Sequence, residues 1–367
     1  DLMTGNTLID MYAKCGLLVD SQRVFDLMSN RDVISWNVLI SGYAQYGHVH
    51  VPLQLFQLMQ RDGIKPCKVT YSSILKACNN TGITINLRIL HQQIIKDSME
   101  SDIMIGNILL DMYAKRGMLE EAQKVFDDLK NRTIVSWGAI IAGYASQGHI
   151  VRVLTLFSKM VQSDINPNPV MFSVVLKSCG GEAAREYGMF IHDLVIRSNL
   201  HTDLITGNTL IDMYFSFDYF KEARYVFDFQ SNRNVVSWST TIGGDVQHGF
   251  DIPALSLYKR MQNERVYVSK VTLIFILKAC CNRKDIEEGR LVHDNIICSG
   301  DEEDVMVGSG LVEMYAKCGI LYEADVVLES LPNKNVYSWN AIISGYMNAE
   351  LDQDAIEAFE DMKKDGV

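Results

Sequence analysis

Gly5-Asn6-Thr7-Leu8-Ile9-Asp10-Met11-Tyr12-Ala13-Lys14-Cys15-Gly16 is the stretch on which the reading of this chain turns. Its centre, Asp10-Met11-Tyr12, returns 101 residues later as Asp111-Met112-Tyr113, then as Asp212-Met213-Tyr214 and Glu313-Met314-Tyr315. All four tryptophans, Trp36, Trp137, Trp238 and Trp339, keep that period, each preceded by a serine: Ser35, Ser136, Ser237 and Ser338. Leu75-Lys76-Ala77-Cys78 recurs as Leu176-Lys177-Ser178-Cys179 and Leu277-Lys278-Ala279-Cys280. A period held this strictly means a stack of like units.

Each 101-residue block divides again. Met11-Tyr12-Ala13-Lys14-Cys15-Gly16, Gly42-Tyr43-Ala44-Gln45-Tyr46-Gly47 and Ala77-Cys78-Asn79-Asn80-Thr81-Gly82 align as one short pattern ending in glycine. Their spacing predicts subunits of 31, 35 and 35 residues, at 2–32, 33–67 and 68–102, then 101 further each time. That makes eleven, of which the last (336–367) is cut short, so the expectation is a piece of a longer array.

Within each subunit apolar residues recur at spacings of three and four, twice. In the first, Leu8, Met11 and Tyr12 share a face, Gly16 interrupts, and Leu18, Val24, Phe25 and Met28 share a second. That is the stripe of a helix, not the alternation of a strand. A glycine at the break suits a helix C-terminus. Pro52 and Pro253 fall near the start of second helices, where a missing N–H matters least. A helical hairpin cannot bury its stripe alone, whereas a stack of hairpins can. The fold expected is all-α: a right-handed superhelical α-solenoid of helix-turn-helix repeats, one array over 1–367.

Hydrophobic residues make up 48% of the chain, enough for an extended core, and no apolar run has the length of a membrane span. Eight cysteines include no CxxC pair, and Cys78, Cys179 and Cys280 share one repeat position, which marks them as buried structural thiols.

These signatures resemble the pentatricopeptide repeat family, and the 31/35/35 alternation resembles its plant organellar subclass of P, L and S repeats. The S-like pattern runs Gly5 to Gly16 and on to Val24-Phe25-Asp26. The P-like pattern is Val33-Ile34-Ser35-Trp36-Asn37 with Ser41-Gly42-Tyr43-Ala44. The L-like pattern is Tyr71-Ser72-Ser73-Ile74-Leu75-Lys76-Ala77-Cys78 with His91, matched by His192 and His293. S-type repeats then occupy 2–32, 103–133, 204–234 and 305–335; P-type 33–67, 134–168, 235–269 and 336–367; L-type 68–102, 169–203 and 270–304.

The resemblance implies binding of single-stranded organellar RNA, one base per repeat, read by the fifth and last residues, with RNA running 5′ to 3′ from N- to C-terminus. An aspartate in last place only accepts, which suits the ring N–H of uracil or guanine; an asparagine there can donate to the bare ring nitrogen of cytosine or adenine. Carried over, Asn6 with Asp32 implies U, Asn208 with Asn234 implies C, and Ser309 with Asn335 implies A. Asn107 with Thr133 implies a pyrimidine. Asn37 with Cys67 leans the same way, although the cysteine departs from the pattern. Gly138 with Asn168 and Ser239 with Ser269 match poorly, and Asn340 lacks its partner. The L-type pairs, Ser72 with Asp102, Ser173 with Asp203 and Ile274 with Asp304, code weakly. The implied target is U-Y-n-Y-n-n-C-n-n-A-Y. The second residue of each repeat, from Met3 and Ile34 to Met306 and Tyr337, is placed to wedge against a base. Lys14, Lys115 and Lys317 are placed to face phosphates, and Ser216 replaces the fourth.

The same resemblance implies selection of sites for C-to-U editing, with editing cofactor proteins or a deaminase in trans as further partners. It implies a mitochondrial or chloroplast setting, no cofactor, no membrane and no DNA. Against it stands a formal charge of −11, since nucleic-acid binders are usually basic. A solvated acidic face opposite the lysines reconciles the two and predicts a shallow salt dependence. The alternatives are a protein-binding helical scaffold, or RNA binding in splicing or transcript stabilisation. Two plainer assignments accompany these: the tryptophans and Met28, Met59, Met160, Met261 and Met362 read as core, and the fifth-position asparagines can serve as helix starts. No histidine begins the H-x-E of a zinc deaminase and no P-C-x-x-C is present, so this stretch carries no catalytic motif.

Overall fold

A computed structural model describes residues 1–79, 84–180 and 184–367. The loop positions Asn80, Thr81 and Gly82 of the third short pattern lie outside the described residues. Every regular element described is a helix. The chain forms two compact units, Asp1–Ser178 and Cys179–Val367.

The first unit holds α1 (Leu2–Lys14), α2 (Leu18–Leu27), α3 (Val33–Gln45), α4 (His50–Arg61), α5 (Lys68–Asn79), α6 (Thr84–Lys96), α7 (Ile103–Lys115), α8 (Leu119–Asp128), α9 (Ile134–Ser146), α10 (Ile150–Gln162) and α11 (Pro169–Ser178). The second holds α12 (Arg185–Arg197), α13 (Leu204–Ser216), α14 (Phe220–Phe229), α15 (Val235–Gln247), α16 (Asp251–Asn263), α17 (Lys270–Arg283), α18 (Ile286–Ser299), α19 (Val305–Lys317), α20 (Leu321–Ser330), α21 (Val336–Asn348) and α22 (Asp352–Lys364). Within each unit consecutive helices pair as hairpins, and each odd-numbered helix packs on the next odd-numbered one. Each unit is therefore a helical-repeat solenoid with the odd helices in a row.

The turns follow from backbone chemistry. Gly16, Gly117 and Gly319 end their helices at φ of +78°, +71° and +79°, a conformation a Cβ disfavours. Asp218 and Glu350 adopt it without that freedom, at φ 60° each.

The tryptophans are core: all four are at most 5% exposed. Trp36, Trp137 and Trp238 meet Phe25, Phe126 and Phe227 edge-on at 4.7–4.8 Å. Arg31 lies over Phe25 at 4.6 Å and donates to the Phe25 and Asp26 carbonyls, capping the end of α2. Arg132 and Arg233 do the same for α8 and α14. Cys78, Cys179 and Cys280 are buried, as their repeat position suggested.

Two core expectations need correction. Leu8 and Met11 are exposed, with no described helix packed on that face of α1, while their equivalents Leu109, Met112, Leu210 and Met213 are buried. Met28 and Met362 are only half-buried, whereas Met59, Met160 and Met261 are fully so. Met28 ends α2 and lies against Gly5, and Met362 lies in α22.

Candidate nucleic-acid interface

The residue just before each odd helix from α3 onward sits where four backbone N–H groups lack helical partners. Asp32, Thr133, Asn234 and Asn335 fill that place, and each forms a reciprocal capping box with the serine before the tryptophan. Asp32 Oδ1 accepts from the Ser35 amide and hydroxyl, both at 2.9 Å. Asn234 Oδ1 accepts from Ser237 at 3.0 and 3.1 Å, and Asn335 Oδ1 from the Ser338 amide at 2.8 Å.

The cap brings distant residues together. Asn6 Nδ2 donates to Asp32 Oδ1 at 3.3 Å, and Asn208 Nδ2 to Asn234 Oδ1 at 3.5 Å. Ser309 donates to Asn335 Oδ1 at 3.2 Å. Asn37 Nδ2 reaches Cys67 Sγ at 3.2 Å, and Ser239 meets Ser269 at 3.2 Å. Asn107 joins Thr133 through Ser136, whose hydroxyl donates to Asn107 Oδ1 at 2.6 Å. Gly138 has no side chain to offer Asn168, whose Oδ1 caps α11 at the Met171 amide. Asn340, half a pair in this chain, is exposed.

In the Asp32, Asn234 and Asn335 caps one side-chain atom takes the donors and the other remains available. Oδ1 of Asp32 takes three donors, so Oδ2 is presented as an acceptor. Burial raises the Asp32 carboxyl, but the hydrogen bonds from Ser35, Asn6 and the Ile34 amide outweigh it and hold the group below its usual value. Oδ1 of Asn234 likewise takes three donors, which leaves Nδ2 presented as a donor. Gln230, almost fully buried, donates to Asn208 Oδ1 at 3.4 Å and so fixes the orientation of that amide. Nothing in the sequence reading singled out Gln230; its signal is a polar residue where the repeats otherwise place Met28, Leu129 and Leu331.

Asp102, Asp203 and Asp304 cap α7, α13 and α19, accepting from amides of their own first turns. Their carboxylates serve the helix, and that of Asp304 also pairs with Lys270 at 2.7 Å.

Within each unit the caps are flanked by exposed apolar side chains at one helical phase. Met3, Ile34, Val69, Met104, Val135, Val170, Ile205, Val236, Val271 and Met306 are all exposed, as is Tyr337. Apolar side chains at the second position of a helix, beside an unconsumed polar atom, make a slot with apolar walls and a polar floor.

Lys14, Lys115 and Lys317 are exposed, but each closes an ion pair one turn back, with Asp10, Asp111 and Glu313 at 2.6–2.7 Å. Such exposed pairs contribute about 0.3–0.5 kcal/mol and leave little net charge. In α13, Ser216 stands in the lysine's place and bonds to the Met213 carbonyl, leaving Asp212 without its counterpart.

His91, His192 and His293 each meet the tyrosine of the Asp/Glu-Met-Tyr motif, at 3.0, 2.6 and 2.9 Å from Tyr113, Tyr214 and Tyr315. They are structural staples between neighbouring helices. Among the described residues no group of three His, Cys, Asp or Glu side chains could hold a metal ion, and no helix is long and apolar enough to cross a membrane.

Three family models cover much of the chain: "PPR repeat family" over 31–80, "PPR repeat" over 6–33, 107–134 and 337–367, and "Pentatricopeptide repeat domain" over 131–182. A mitochondrial pentatricopeptide repeat-containing protein of Arabidopsis thaliana is 35% identical over 98% of this chain and 35% of its own length. The chain belongs to the pentatricopeptide repeat family. A chloroplastic member from the same plant is 33% identical over the whole chain and 59% of its own length. The chain thus spans about a third to three-fifths of these relatives. Among solved structures, the pentatricopeptide repeat protein PPR10 in complex with an 18-nt psaJ RNA element superposes with a TM-score of 0.74, over 99% of this chain and 55% of that one, at 17% identity. At that identity the likeness is one of fold.

Proposed function

We propose that this pentatricopeptide repeat chain binds single-stranded RNA, one base per hairpin, as part of a plant organellar factor of the P-L-S subclass. One observation carries the reading. At Asn6–Asp32, Asn208–Asn234 and Ser309–Asn335 the fifth-position and cap residues meet at hydrogen-bond distance, each of these caps keeps one side-chain atom available, and exposed apolar side chains flank the slots. That is what reading a base edge while wedging its faces requires. The RNA in the PPR10 complex and the mitochondrial and chloroplastic names of the relatives support the same assignment.

Within it the caps act as letters: Asp32 presents an acceptor for uracil, Asn234 and Asn335 donors for cytosine and adenine. The chain's task is recognition, and selecting a site for C-to-U editing is the role its repeat pattern favours, with the chemistry performed elsewhere. Lys14, Lys115 and Lys317 would exchange their carboxylate partners for phosphates, so each contributes modestly and without regard to sequence.

The test is binding of the purified chain to oligonucleotides carrying U-Y-n-Y-n-n-C-n-n-A-Y, against scrambled RNA, duplex RNA and a peptide library. Preference for the single-stranded target supports the reading. Equal binding to scrambled RNA removes the base assignments. Binding to peptides alone makes the chain a protein scaffold. Lys115→Ala should weaken all RNA sequences alike.

A further inference from the structure

The groove between α20 and α22 departs from its three earlier copies at the positions that close them. In those copies a phenylalanine meets the tryptophan edge-on. An arginine lies over the phenylalanine and donates to carbonyls at the end of the preceding helix. In the fourth copy Leu328 stands where Phe25, Phe126 and Phe227 stand, and Lys334 where Arg31, Arg132 and Arg233 stand. Lys334 sends its ammonium over Trp339 at 5.2 Å and towards Asp365 at 3.6 Å. A cavity of about 580 Å³ opens there, with Val326, Leu328 and Trp339 among its walls.

The rim of that cavity has changed sign. Asp325 and Asp361 take the places of Arg224 and Arg260 in the copy before, and Asp354 that of Arg152 one copy earlier. The two lysines of the groove are engaged by Asp365 and Asp361, at 3.6 and 2.7 Å. Asp325, Glu329, Asp354 and Glu357 therefore line the cavity without a paired cation among the described residues. Burial raises the Asp325 carboxyl, the Tyr346 hydroxyl opposes that rise, and the charges of Glu329 and Asp354 add to it.

The preceding copy shows what such a set of groups holds. There Arg260 pairs with Asp228 at 2.7 Å while its guanidinium lies 5.6 Å from the centre of the Trp238 ring. Glu329 and Trp339 are the equivalents of Asp228 and Trp238, and Asp361 stands in the arginine's place. The fourth groove keeps both partners of a guanidinium and lacks the guanidinium.

We propose that this groove docks a partner protein through an arginine side chain, which takes the place that Arg260 fills in the copy before. Charge complementarity selects the occupant. Carboxylates without cations attract a cation and repel phosphate. The ligand here is thus not RNA, and the inference is independent of the base slots, whose caps and second-position residues do not line this cavity. Arginine fits better than lysine, because its planar group stacks on an aromatic face while forking to a carboxylate. The apolar walls take its methylene stem.

The test uses the whole chain and two labelled peptides of alanine and serine, one carrying two arginines and one two lysines, with free arginine as a third probe. The arginine peptide should bind about threefold or more tighter than its lysine counterpart, and more tightly than free arginine. Asp361→Arg, which installs the residue native to position 260, should weaken it about tenfold or more. Glu360→Arg makes the same change of charge on the same helix outside the cavity and should leave binding alone. Leu328→Phe with Lys334→Arg rebuilds the closed groove of the earlier copies, and should abolish peptide binding with circular dichroism unchanged. No binding of the arginine peptide, or equal weakening by Asp361→Arg and Glu360→Arg, overturns the proposal. So does a lysine peptide that binds as well, or binding that survives the rebuilt groove in a folded chain. Free arginine that matches the peptide makes this a small-molecule site and overturns the partner.

Discussion

Replacing Asn234 by aspartate tests the base assignments at an atom whose surroundings are fully specified. The Asn234 oxygen holds α15 through the Ser237 amide and hydroxyl at 3.0 and 3.1 Å. Asp32 shows that a carboxylate does the same work, with both distances to Ser35 at 2.9 Å and an asparagine donating from the preceding hairpin. Asparagine and aspartate are near-equal N-caps, so folding stability should move by no more than a few tenths of a kcal/mol. What changes is the outward atom, from an N–H donor to an acceptor. Cytosine presents a bare ring nitrogen there and uracil an N–H, so the favoured base reverses. A good base contact discriminates by about 1–3 kcal/mol, which is roughly five- to a hundred-fold in the C/U affinity ratio. Fluorescence anisotropy on four oligonucleotides differing at one base measures it, with a urea titration alongside. Asn234→Ala is the contrast, because it also removes the cap and should cost about 1 kcal/mol of stability. If Asn234→Asp leaves the C/U ratio unchanged while the chain stays folded and RNA-bound, the assignment of bases to hairpins is wrong.

Other perturbations probe the scaffold. Asp245 is fully buried and held by Arg224 at 2.6 Å, so Arg224→Ala should destabilise by about 3 kcal/mol in urea unfolding. Arg224→Gln with Asp245→Tyr transplants the Gln123–Tyr144 pair and should recover most of that; equal loss in single and double variants would refute the pairing argument. Burial pushes His91, His192 and His293 below the ordinary value of 6.5, with nearby acids opposing more weakly. A histidine that binds its proton less readily when folded leaves stability unaffected above 6.5 and lowers it as pH falls below, flattening once the folded value is passed. The melting temperature should therefore drop between pH 7 and 5.5, and less so in His→Gln variants; an unchanged slope in those variants would assign the drop elsewhere. Glu350 holds a left-handed backbone where Gly47, Gly148 and Gly249 stand, so Glu350→Gly should stabilise by about 1 kcal/mol, and a loss of stability would refute the strain.

The hairpin stack was legible because helical periodicity is a local property and the 101-residue period repeats it. Trp36 and its equivalents were placed in the core by phase alone. Leu8 and Met11 failed because periodicity says which face is apolar, not whether a neighbour covers it. The fifth-and-last pairs came from resemblance; that Asp32 and Asn234 are also helix caps follows from Ser35 and Ser237, which the sequence displayed without a role. Gln230 and Asp245 were missed because each acts through a partner 21 or 22 residues away. Their trace was nonetheless present, as departures from the other copies of the same position. Arg224 and Asp245 depart together from the Gln123 and Tyr144 of the copy before them, and Asp325 departs alone beside an unchanged Tyr346, each across a hydrogen bond between two helices.

Because one side chain both fastens the next helix and faces the ligand, the alphabet of this array is restricted by mechanics before it is restricted by recognition. Only residues with a short polar side chain able to reach the third amide of a helix are admissible, and Asp32, Thr133, Asn168, Asn234, Ser269 and Asn335 all comply. Cys67 does so by proxy, with the Thr70 hydroxyl taking the Cys67 amide and reaching Asn37 at 2.6 Å. Respelling within this set leaves the joints intact, so a lineage of such arrays can drift from one target to another through single substitutions that folding scarcely registers. Leaving the set loosens a joint. Spelling and punctuation are written in the same atoms.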